Sequence, residues 1–457
     1  TSPAQVHLAL AGTDAASGSP NGMAVSWQTE SDTSTSTVRY GTAPGEYTAT
    51  VTGYSLSYYE TFHHHAVLPA LSPRTQYYYI VGDENGSWSK EFTFTSAPLS
   101  SLEEQSLTFA VFADLGVVNG DSTINYLKGI QNSTALIWHG GDISYADDAF
   151  LHKGCMFSFC YEEAWDQFME EMQPVVSQVP YMTAPGNHEV ECHDPACLAN
   201  AERREKLSNF SAYNTRFRMP STESGSGALN MHYSFNFGPA HFVSIDTETG
   251  YPGAAEETRY VLPCGGFEEQ LAWLEADLIE ANKHRDVRPW VFAQGHHPMY
   301  QGNSVNEDFQ AAVEEMFYKY GVDIYFSGHV HSYERDYPTY QGVPETSYDN
   351  PRATTYLMIG GAGNDEMRGA EAGKPTETLT AAEKERKAAA NEGSSRWRKG
   401  ESAGAWTVVT DSEHLGIGTV SIKNANELTF SYIRTTSGEI FDTVTLTRDH
   451  SSPYGLN

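Results

Sequence analysis

The chain has 457 residues, of which 39% are hydrophobic, and this length allows two or three folded domains. Its 59 acidic residues outnumber 28 basic ones and give a formal net charge of -31, which argues against nucleic acid as a partner. No apolar stretch approaches the roughly 20 residues that a membrane-spanning helix needs, so no membrane partner is expected. An anionic substrate would be repelled unless cations supplied a local positive field.

Residues 1–98 form a pattern of short strands and turns that predicts a fibronectin type III-like β-sandwich domain. Trp27 is a predicted core residue of this domain, and residues 99–106 are the predicted linker that follows it. His63–His65 have no acidic or cysteine residues in company, so no metal site is expected there. The predicted strands are Gln5–Leu10, Met23–Thr29, Ser36–Tyr40, His65–Leu68, Thr75–Val81 and Lys90–Thr95.

From Leu107 onwards, buried strands alternate with amphipathic helices, which predicts an α/β core. Polar residues that follow such strands lie at the carboxyl edge of the sheet, where α/β proteins bind ligands. Residues 366–404 predict an exposed, partly helical insertion, and residues 405–447 return to strands. The predicted helices are Ser122–Ile130, Phe267–Ala281 and Phe309–Tyr320, and the last strands are Ala405–Thr410, Gly418–Lys423, Glu427–Arg434 and Ile440–Thr447.

Cysteines and glycosylation sequons indicate an oxidising secretory route. Two pairs share the same close spacing, Cys155/Cys160 and Cys192/Cys197, which predicts two short-loop disulfides and leaves Cys264 over. His193, beside the second pair, is given no role. The start at Thr1 rather than Met suggests a processed or trimmed chain. The predicted glycosylation sites are Asn85, Asn132 and Asn209.

Five short polar motifs run through the middle of the chain in a fixed order and together predict a site for two metal ions. Each offers carboxylate or carbonyl oxygens or imidazole nitrogens, which are the ligands of hard cations and of iron or zinc. One such cluster arises easily by chance, whereas five in series are hard to explain without metal. The motifs are DLG at Asp114–Gly116, GDISY at Gly141–Tyr145, GNHE at Gly186–Glu189, HHPMY at His296–Tyr300 and GHVH at Gly328–His331.

Asp142 and Tyr145, both in the second motif, indicate how many metal ions bind and which ions they are. Asp114 and Asp142 both follow strands, and the central place of Asp142 in the motif order makes it the candidate bridging carboxylate. Tyr145 can be a ligand only as a phenolate, despite a reference pKa of about 10. Ferric iron is the ion that best stabilises that form, so Tyr145 bears on the identity of the metal.

The remaining motifs add neutral ligands. Asn187 offers a carbonyl oxygen, and the adjacent His188 is a candidate to face the substrate. His329 and His331 alternate around Val330, so on an extended segment they share a face and reach two adjacent ions.

The ordered motifs resemble those of the calcineurin-like metallophosphoesterases. Within this superfamily, the chain is similar to the large purple acid phosphatases of plants and fungi. The similarity lies in the GDISY tyrosine, the GNHE and GHVH motifs and the leading β-sandwich, and it extends from Gln5 to about Leu446. The resemblance implies that residues 107–457 form a catalytic double βαβ sandwich with four α/β/β/α layers. It also implies Fe³⁺ bound by Asp114, Asp142, Tyr145 and His331, and a second divalent ion (Zn²⁺, Fe²⁺ or Mn²⁺) bound by Asp142, Asn187, His296 and His329.

Two departures from the family pattern affect the site. The fourth motif usually reads Val-x-x-His, whereas this chain has Ala293-Gln294-Gly295-His296. We favour His296 as the ligand because the residues after it fit the family's tail, with His297 as the competing choice. Plant relatives carry another substrate-facing histidine further on, which the stretch QGNSVNEDF lacks. His188, His297 or solvent are therefore the candidates for the leaving-group acid.

The resemblance implies a secreted acid phosphatase that hydrolyses phosphate monoesters with a hydroxide activated by two metal ions, without a protein nucleophile. His188 and Asp142 are the candidate catalytic residues, and His188, Asn187 and His297 are the candidate contacts to substrate. The alternatives are a phosphodiesterase or pyrophosphatase on the same scaffold and a non-catalytic, fibronectin-like binding protein. The natural ester, with phytate, sugar phosphates and nucleotides as candidates, and the oligomeric state are left open by the sequence.

Overall fold

The computed structural model describes residues 2–12, 22–98, 107–152, 155, 158–248, 267–364 and 403–450. Cys264, the predicted linker 99–106 and nearly all of the predicted insertion 366–404 lie outside these residues. The boundary between the two predicted domains therefore stays a prediction. Among the described helices, none has both the length and the apolar character needed to cross a lipid bilayer.

The N-terminal part is a sandwich of two four-stranded antiparallel sheets, which confirms the β-sandwich prediction. Its core contains Trp27 and Tyr79, and both side chains are at most 1% exposed. The prediction missed β4 and β5, two edge strands with mostly exposed or half-buried side chains. The sheet orders are β1-β2-β6-β5 and β4-β3-β7-β8. The strands are β1 (Ala4–Leu10), β2 (Gly22–Thr29), β3 (Thr37–Gly41), β4 (Ala49–Thr52), β5 (Tyr54–Tyr58), β6 (Thr61–Pro69), β7 (Gln76–Gly82) and β8 (Phe92–Thr95).

The part that begins at Leu107 is built on two large mixed sheets, as predicted for the α/β core. One has six strands in the order β11-β10-β9-β23-β24-β25, and the other has seven in the order β12-β13-β14-β17-β21-β18-β22. The first sheet contains β9 (Leu107–Phe112), β10 (Ile137–His139), β11 (Tyr181–Thr183), β23 (Gly416–Ile422), β24 (Glu427–Arg434) and β25 (Glu439–Thr447). The second contains β12 (Tyr233–Phe237), β13 (Ala240–Ser244), β14 (Trp290–Gln294), β17 (Ile324–Ser327), β18 (Tyr333–Asp336), β21 (Thr355–Ile359) and β22 (Thr407–Asp411).

Eight α-helices, two hairpins and two short 3-10 helices, Gln131–Ser133 and Asn187–Glu189, complete the described elements of this part. The hairpins pair β15 (Tyr300–Gln301) with β16 (Ser304–Val305) and β19 (Thr339–Tyr340) with β20 (Val343–Pro344). The helices are α1 (Asp121–Ile130), α2 (Ala149–His152), α3 (Tyr161–Val176), α4 (Pro195–Leu198), α5 (Ala201–Lys206), α6 (Ser211–Arg216), α7 (Phe267–Asn282) and α8 (Glu307–Tyr320).

Aromatic side chains fill the space between the two sheets. Phe109 lies 5.2 Å from Phe242 and 5.5 Å from Phe292, measured between ring centroids, and Trp138 also packs edge-on against Phe242. Aromatic pairs of this kind contribute about 0.5–1.5 kcal/mol beyond the apolar area that they bury. This interior holds the two sheets, and therefore the loops at their strand ends, in a fixed relation.

Helices cover the outer faces of both sheets, which gives the predicted α/β/β/α layers. Phe168 of α3 packs on His139 of β10, whereas Phe309 and Phe317 of α8 pack on Tyr325 of β17. Helix α8 begins after Asn306, whose side chain accepts the third backbone N–H of the helix, and it ends at a glycine with φ 67°. The Asn306 and Gly321 caps thus define the two ends of the helix, and its apolar face packs on the sheet.

Only one of the two predicted disulfides is formed among the described cysteines. Cys192 and Cys197 are bonded, because helix α4 folds the loop back and brings their Cα atoms to 6.1 Å, within the usual range for a disulfide. The prediction for Cys155 and Cys160 is wrong. Both are buried free thiols in hydrogen-bond contact with each other. Equal spacing in the sequence did not determine bonding; the local turn did.

Candidate metal centre

All five motifs lie at the carboxyl ends of parallel strands. Asp114, Asp142 and Asn187 follow β9, β10 and β11, which are parallel neighbours in the six-stranded sheet. His296 and His329 follow β14 and β17, which are parallel neighbours in the seven-stranded sheet. Because the sheets are packed face to face, these loops meet at one edge of the sandwich, where α/β proteins bind ligands.

The first group of candidate ligands contains Asp114, Asp142 and His331, with ligand atoms within 4.8 Å of one another. The Oη atom of Tyr145 lies 3.0 Å from Oδ1 of Asp114, 3.3 Å from Oδ2 of Asp142 and 3.0 Å from Nε2 of His331. The four side chains therefore converge on one point, with Tyr145 as the fourth member.

The second group contains Asp142, His296 and His329, again with ligand atoms within 4.8 Å of one another. Oδ1 of Asn187 lies 2.9 Å from Nδ1 of His329 and 3.1 Å from Nε2 of His296. Oδ2 of Asp142 lies 3.0 Å from the same Nε2 of His296. Asp142 is the one residue that belongs to both groups, which is the geometry of a bridging carboxylate.

The tautomer of His296 tests whether this set of donors fits a cation. Its Nδ1 lies 3.0 Å from the carbonyl oxygen of Gly140, so Nδ1–H donates to that oxygen and Nε2 carries the lone pair in the neutral ring. That lone pair faces two more acceptors, the oxygens of Asp142 and Asn187. Three acceptors that converge in this way need a positive charge among them. Burial opposes protonation of His296, but Asp142 raises the pKa of this ring well above 6.5, so either a proton on Nε2 or a cation supplies that charge. The residues present therefore fit a metal.

The charge states of the site agree with that fit. Burial opposes ionisation of Asp142, but the facing imidazoles of His296 and His188 hold the pKa of Asp142 well below its usual range. Burial raises the pKa of Asp114, against the influence of His331 and His296. Burial and the neighbouring histidines lower the pKa of His329 well below 6.5, so this ring is neutral, which is the form that binds a metal.

Four of the seven candidate ligands have a left-handed backbone, which non-glycine residues rarely adopt. The φ values are 61° for Asp114, 52° for Asp142, 52° for Tyr145 and 66° for His329. Such conformations cost on the order of 1–3 kcal/mol each and persist where the surrounding structure enforces them, commonly at functional sites. Their concentration here is independent support for a site at this edge.

The expectation that His329 and His331 lie on an extended segment is wrong. His329 is left-handed, and tight turns join Val330 N–H to the Gly328 carbonyl and Ser332 N–H to the Val330 carbonyl. The turns, rather than strand alternation, direct the two imidazoles into the two different groups.

Two glycines of the motifs are required by close approach. A Cβ on Gly186 would lie 2.2 Å from Oδ1 of Asp142, and a Cβ on Gly328 would lie 2.4 Å from Oδ2 of Asp114. Only glycine lets these backbones pass so near the carboxylates. The glycines of GNHE and GHVH thus have a specific packing role beside the candidate ligands.

Glu189, the last residue of GNHE, supports the site although the sequence analysis gave it no role. Its carboxylate accepts hydrogen bonds from the backbone N–H groups of Asp142 and Gly186, each at 2.8 Å, and of Ile143 at 2.9 Å. The side chain is buried. Its place inside the motif was the signal that could have identified it.

His297, the competing ligand and candidate substrate contact, points elsewhere than His296. Its Nε2 lies 2.9 Å from Oε1 of Glu248, and its backbone N–H donates to Oγ1 of Thr247. Its ring centroid is 4.1 Å from that of His329, so it borders the second group without belonging to it. The groups include His296 and not His297.

His188 borders the first group. Its Nε2 is 3.9 Å from Oδ2 of Asp142, its ring lies 4.2 Å from that of Tyr145, and its Nδ1 is 3.0 Å from both carboxylate oxygens of Asp147. Asp147 also contacts His193. Asp147 was not predicted from the sequence, although an acidic residue two positions after the GDISY tyrosine was a signal that could have identified it.

Comparison with known proteins shows the family. Descriptions of protein families match three segments: "Purple acid Phosphatase, N-terminal domain" at 3–96, "Calcineurin-like phosphoesterase" at 107–333 and "Iron/zinc purple acid phosphatase-like protein C" at 387–443. Acid phosphatase type 7 of Danio rerio is 34% identical to this chain, covering 82% of each protein. The chain belongs to the purple acid phosphatase family. Its predicted resemblance is confirmed, and with it the prediction of a metal-dependent acid phosphatase.

Other members of the purple acid phosphatase family are similar over shorter or more divergent stretches. Purple acid phosphatase 15 of Arabidopsis thaliana is 35% identical over 71% of this chain and 59% of the relative. The solved structure of a purple acid phosphatase from yellow lupin seeds has a TM-score of 0.72 and covers 98% of this chain and 75% of that chain, at 21% identity. This last match supports the fold, and the family supports a binuclear metal centre.

Proposed function

We propose that this purple acid phosphatase hydrolyses phosphate monoesters at two cations that share the carboxylate of Asp142. The observation that carries the proposal is the pair of ligand groups that have Asp142 in common. It is supported by the acceptors that converge on His296 and by the left-handed backbone of four candidate ligands.

The two groups differ in the ions that they suit. Tyr145 lies with Asp114, Asp142 and His331, and a phenolate with two carboxylates favours the harder, more Lewis-acidic Fe³⁺. Around the second ion, the amide of Asn187 and two imidazoles, His296 and His329, join the shared carboxylate, and this set suits Zn²⁺, Fe²⁺ or Mn²⁺.

In the reaction, the chain's own residues hold and orient the reactants. When bound, the two cations would supply Lewis-acid activation of water and neutralise phosphate charge. Asp142 fixes the separation of the two ligand groups, and Glu189 fixes the loop that carries Asp142. His188 presents its Nε2 beside Asp142, where it donates a hydrogen bond to the transferring phosphoryl group. His188, His297 or solvent delivers the proton to the leaving alcohol.

Secretion and glycosylation belong to the same proposal. The Cys192–Cys197 disulfide favours an oxidising compartment, and Asn85, Asn132 and Asn209 all have exposed side chains that are accessible to a glycosyltransferase. We place the enzyme outside the cell, where it acts on small phosphorylated compounds, with phytate among the candidate esters.

Metal analysis with a visible absorption spectrum tests the metals, and paired kinetics test the reaction. We expect one iron and one divalent ion per chain and an absorption band from phenolate-to-iron charge transfer, which depends on Tyr145. We also expect a kcat/KM for 4-nitrophenyl phosphate well above that for bis(4-nitrophenyl) phosphate. A preference for the diester would replace this function with phosphodiester hydrolysis, and full activity in protein devoid of metal would reject it.

A further inference from the structure

A row of hydrogen-bonding side chains continues from the metal centre to the disulfide loop. Nδ1 of His188 lies 3.0 Å from the carboxylate of Asp147, and Nδ1 of His193 lies 3.1 Å from Oδ2 of the same carboxylate. Beyond it, Nε2 of His193 lies 3.5 Å from Oε1 of Glu191. Asp147 thus has an imidazole on either side.

The His193 end of this row is attached to a rigid part of the molecule. His193 lies directly after Cys192, whose disulfide with Cys197 closes a loop that is also fixed by a backbone hydrogen bond from Cys192 to Leu207. The next residue, Asp194, caps helix α4 through the Ala196 N–H. His193 is therefore held from its own backbone and not only by the contact that it makes.

The geometry points to His193 as a positioning residue for phosphate hydrolysis: it holds Asp147, and Asp147 holds the imidazole of His188 towards the metal centre. This inference rests on the proposed function, because it gives His188 a substrate to bind. His193 itself does not serve as a contact to the substrate.

The orientation of His188 explains why such a support matters. With Nδ1–H donated to Asp147, the other nitrogen faces Asp142, and at 3.9 Å it is too far for a direct hydrogen bond. Nε2 is thus directed to the edge where phosphate would lie. A carboxylate held by one imidazole alone can rotate about its χ angles, whereas one held from both sides cannot.

The charges along the row favour the same arrangement. Burial opposes protonation of His193, but hydrogen bonds to Asp147 and Glu191 raise its pKa to about 10. A protonated His193 donates from Nδ1 to Asp147, while its Nε2 forms an ion pair with Glu191 at 3.5 Å. Asp147 is completely buried, so two donor imidazoles compensate the loss of its hydration.

Three substitutions and one control test the positioning role. His193→Leu removes both donors, and His193→Asn keeps a donor near the position of Nδ1. His188→Ala provides the background for a double-mutant cycle. The matched control is His414→Leu, because His414 is exposed to a similar extent (33% against 28%) and its Nδ1 also lies 3.0 Å from a buried aspartate, Asp411, on another part of the fold.

We expect His193→Leu to lower kcat/KM for 4-nitrophenyl phosphate about tenfold, as is usual for residues that orient a functional group. Metal content and the visible spectrum should equal those of the wild type, and the control should keep wild-type kinetics. His193→Asn should recover kcat/KM to within about threefold of the wild type. In the His188→Ala background, adding His193→Leu should change kcat/KM by less than about twofold, because its effect passes through His188.

Two results would overturn the positioning role while leaving the proposed function intact. One is wild-type kcat/KM in the metal-loaded His193→Leu enzyme. The other is the same tenfold loss with and without His188, which would assign His193 a separate role. Failure of the wild-type enzyme to hydrolyse any ester would instead reject the proposed function. Thermal unfolding of each variant separates these outcomes from loss of fold, and His193→Ala, which also removes both donors, carries the test if the leucine variant does not fold.

Discussion

The molecule contains two clusters of buried histidines that look alike in sequence and differ in chemistry. In the β-sandwich, the two nitrogens of His64 lie 2.8 Å from the hydroxyls of Thr29 and Ser36. The nitrogens of His65 contact the Ser26 hydroxyl at 2.8 Å and a backbone carbonyl at 3.0 Å. Hydroxyls can donate as well as accept, so they satisfy a neutral ring, and these histidines belong to the packed core.

At the edge of the larger sheets, the histidines lie beside carboxylates. His296 has a carbonyl oxygen at one nitrogen and a carboxylate and an amide oxygen at the other. Burial does not distinguish the two clusters, since His64 and His296 are each fully buried. Neither burial nor clustering of histidines alone therefore identifies a metal site. The decisive feature is a carboxylate, Asp142, that belongs to two adjacent groups of ligand atoms.

The largest expected effect follows from removing that shared carboxylate. Asp142→Asn keeps the size of the side chain but removes the charge that joins the two ligand groups. We expect both ions to bind more weakly and kcat for a phosphate monoester to fall by at least about 10³-fold. Activity assays combined with metal analysis of the purified variant measure both losses.

The control for this variant lies in the sandwich. Asp83 is also buried, and its carboxylate accepts hydrogen bonds from Ser34 and Thr35 rather than facing imidazoles. Asp83→Asn should leave metal content and kcat unchanged. Normal turnover by a fully metal-loaded Asp142→Asn enzyme would show that a bridging carboxylate is not what distinguishes the two clusters.

Much of this distinction could be predicted from the sequence. The order of motifs identified the clustered side chains, because strands that precede Asp or His motifs place those residues at one sheet edge. His63–His65 were excluded as a metal site because no acidic or cysteine residues lie near them in the sequence. The pattern of apolar residues gave every predicted helix to within about two residues at each end, since helix periodicity and end signals are local. A single sequence therefore predicts local features, such as helices and strand ends, well.

Contacts between distant segments could not be predicted in the same way. Glu189 reaches the backbone of Asp142 through a turn, and His193 reaches Asp147 only because a disulfide loop folds beside the motif. The left-handed backbone at Asp114 depends on the loops packed around it. These features arise from tertiary contacts, which the spacing of residues in the sequence does not predict.

The second expected effect is a loss of stability at low pH, which the buried histidines of the β-sandwich cause. Burial lowers the pKa of His7 to about 4 and that of His65 to about 3, from 6.5 for an exposed ring. Below pH 6.5 the unfolded chain therefore binds protons that the folded chain does not, so the free energy of unfolding falls as the pH decreases. For His7 the loss between pH 6.5 and pH 4 is about 3 kcal/mol.

Denaturant unfolding at pH 7, 5.5 and 4 measures this loss. His65→Gln removes one of the titrating rings, so its free energy of unfolding should depend less steeply on pH than that of the wild type. Metal-bound histidines add to the slope in the same way, because only the unfolded chain protonates them, but they add equally in both proteins, so the difference in slope reports His65. Identical slopes for wild type and variant would contradict neutral burial of His65.

The smallest expected effect tests the support around the shared carboxylate rather than the carboxylate itself. Glu189 accepts three backbone N–H groups with two oxygens, two at Oε2 and one at Oε1. Glu189→Gln has one oxygen and one NH₂ group, so at least one backbone donor meets another donor. The loop of Asp142 should shift, and we expect metal affinity to fall about tenfold, as for other residues that hold a ligand in place. Competition with a chelator measures that affinity. Glu345→Gln is the matched control, since the half-buried Glu345 carboxylate also accepts backbone N–H groups, those of Arg352 and Ala353, and belongs to none of the motifs, so it should not alter chelator resistance. Equal resistance in Glu189→Gln and the control would mean that the strained loop keeps its shape without this carboxylate.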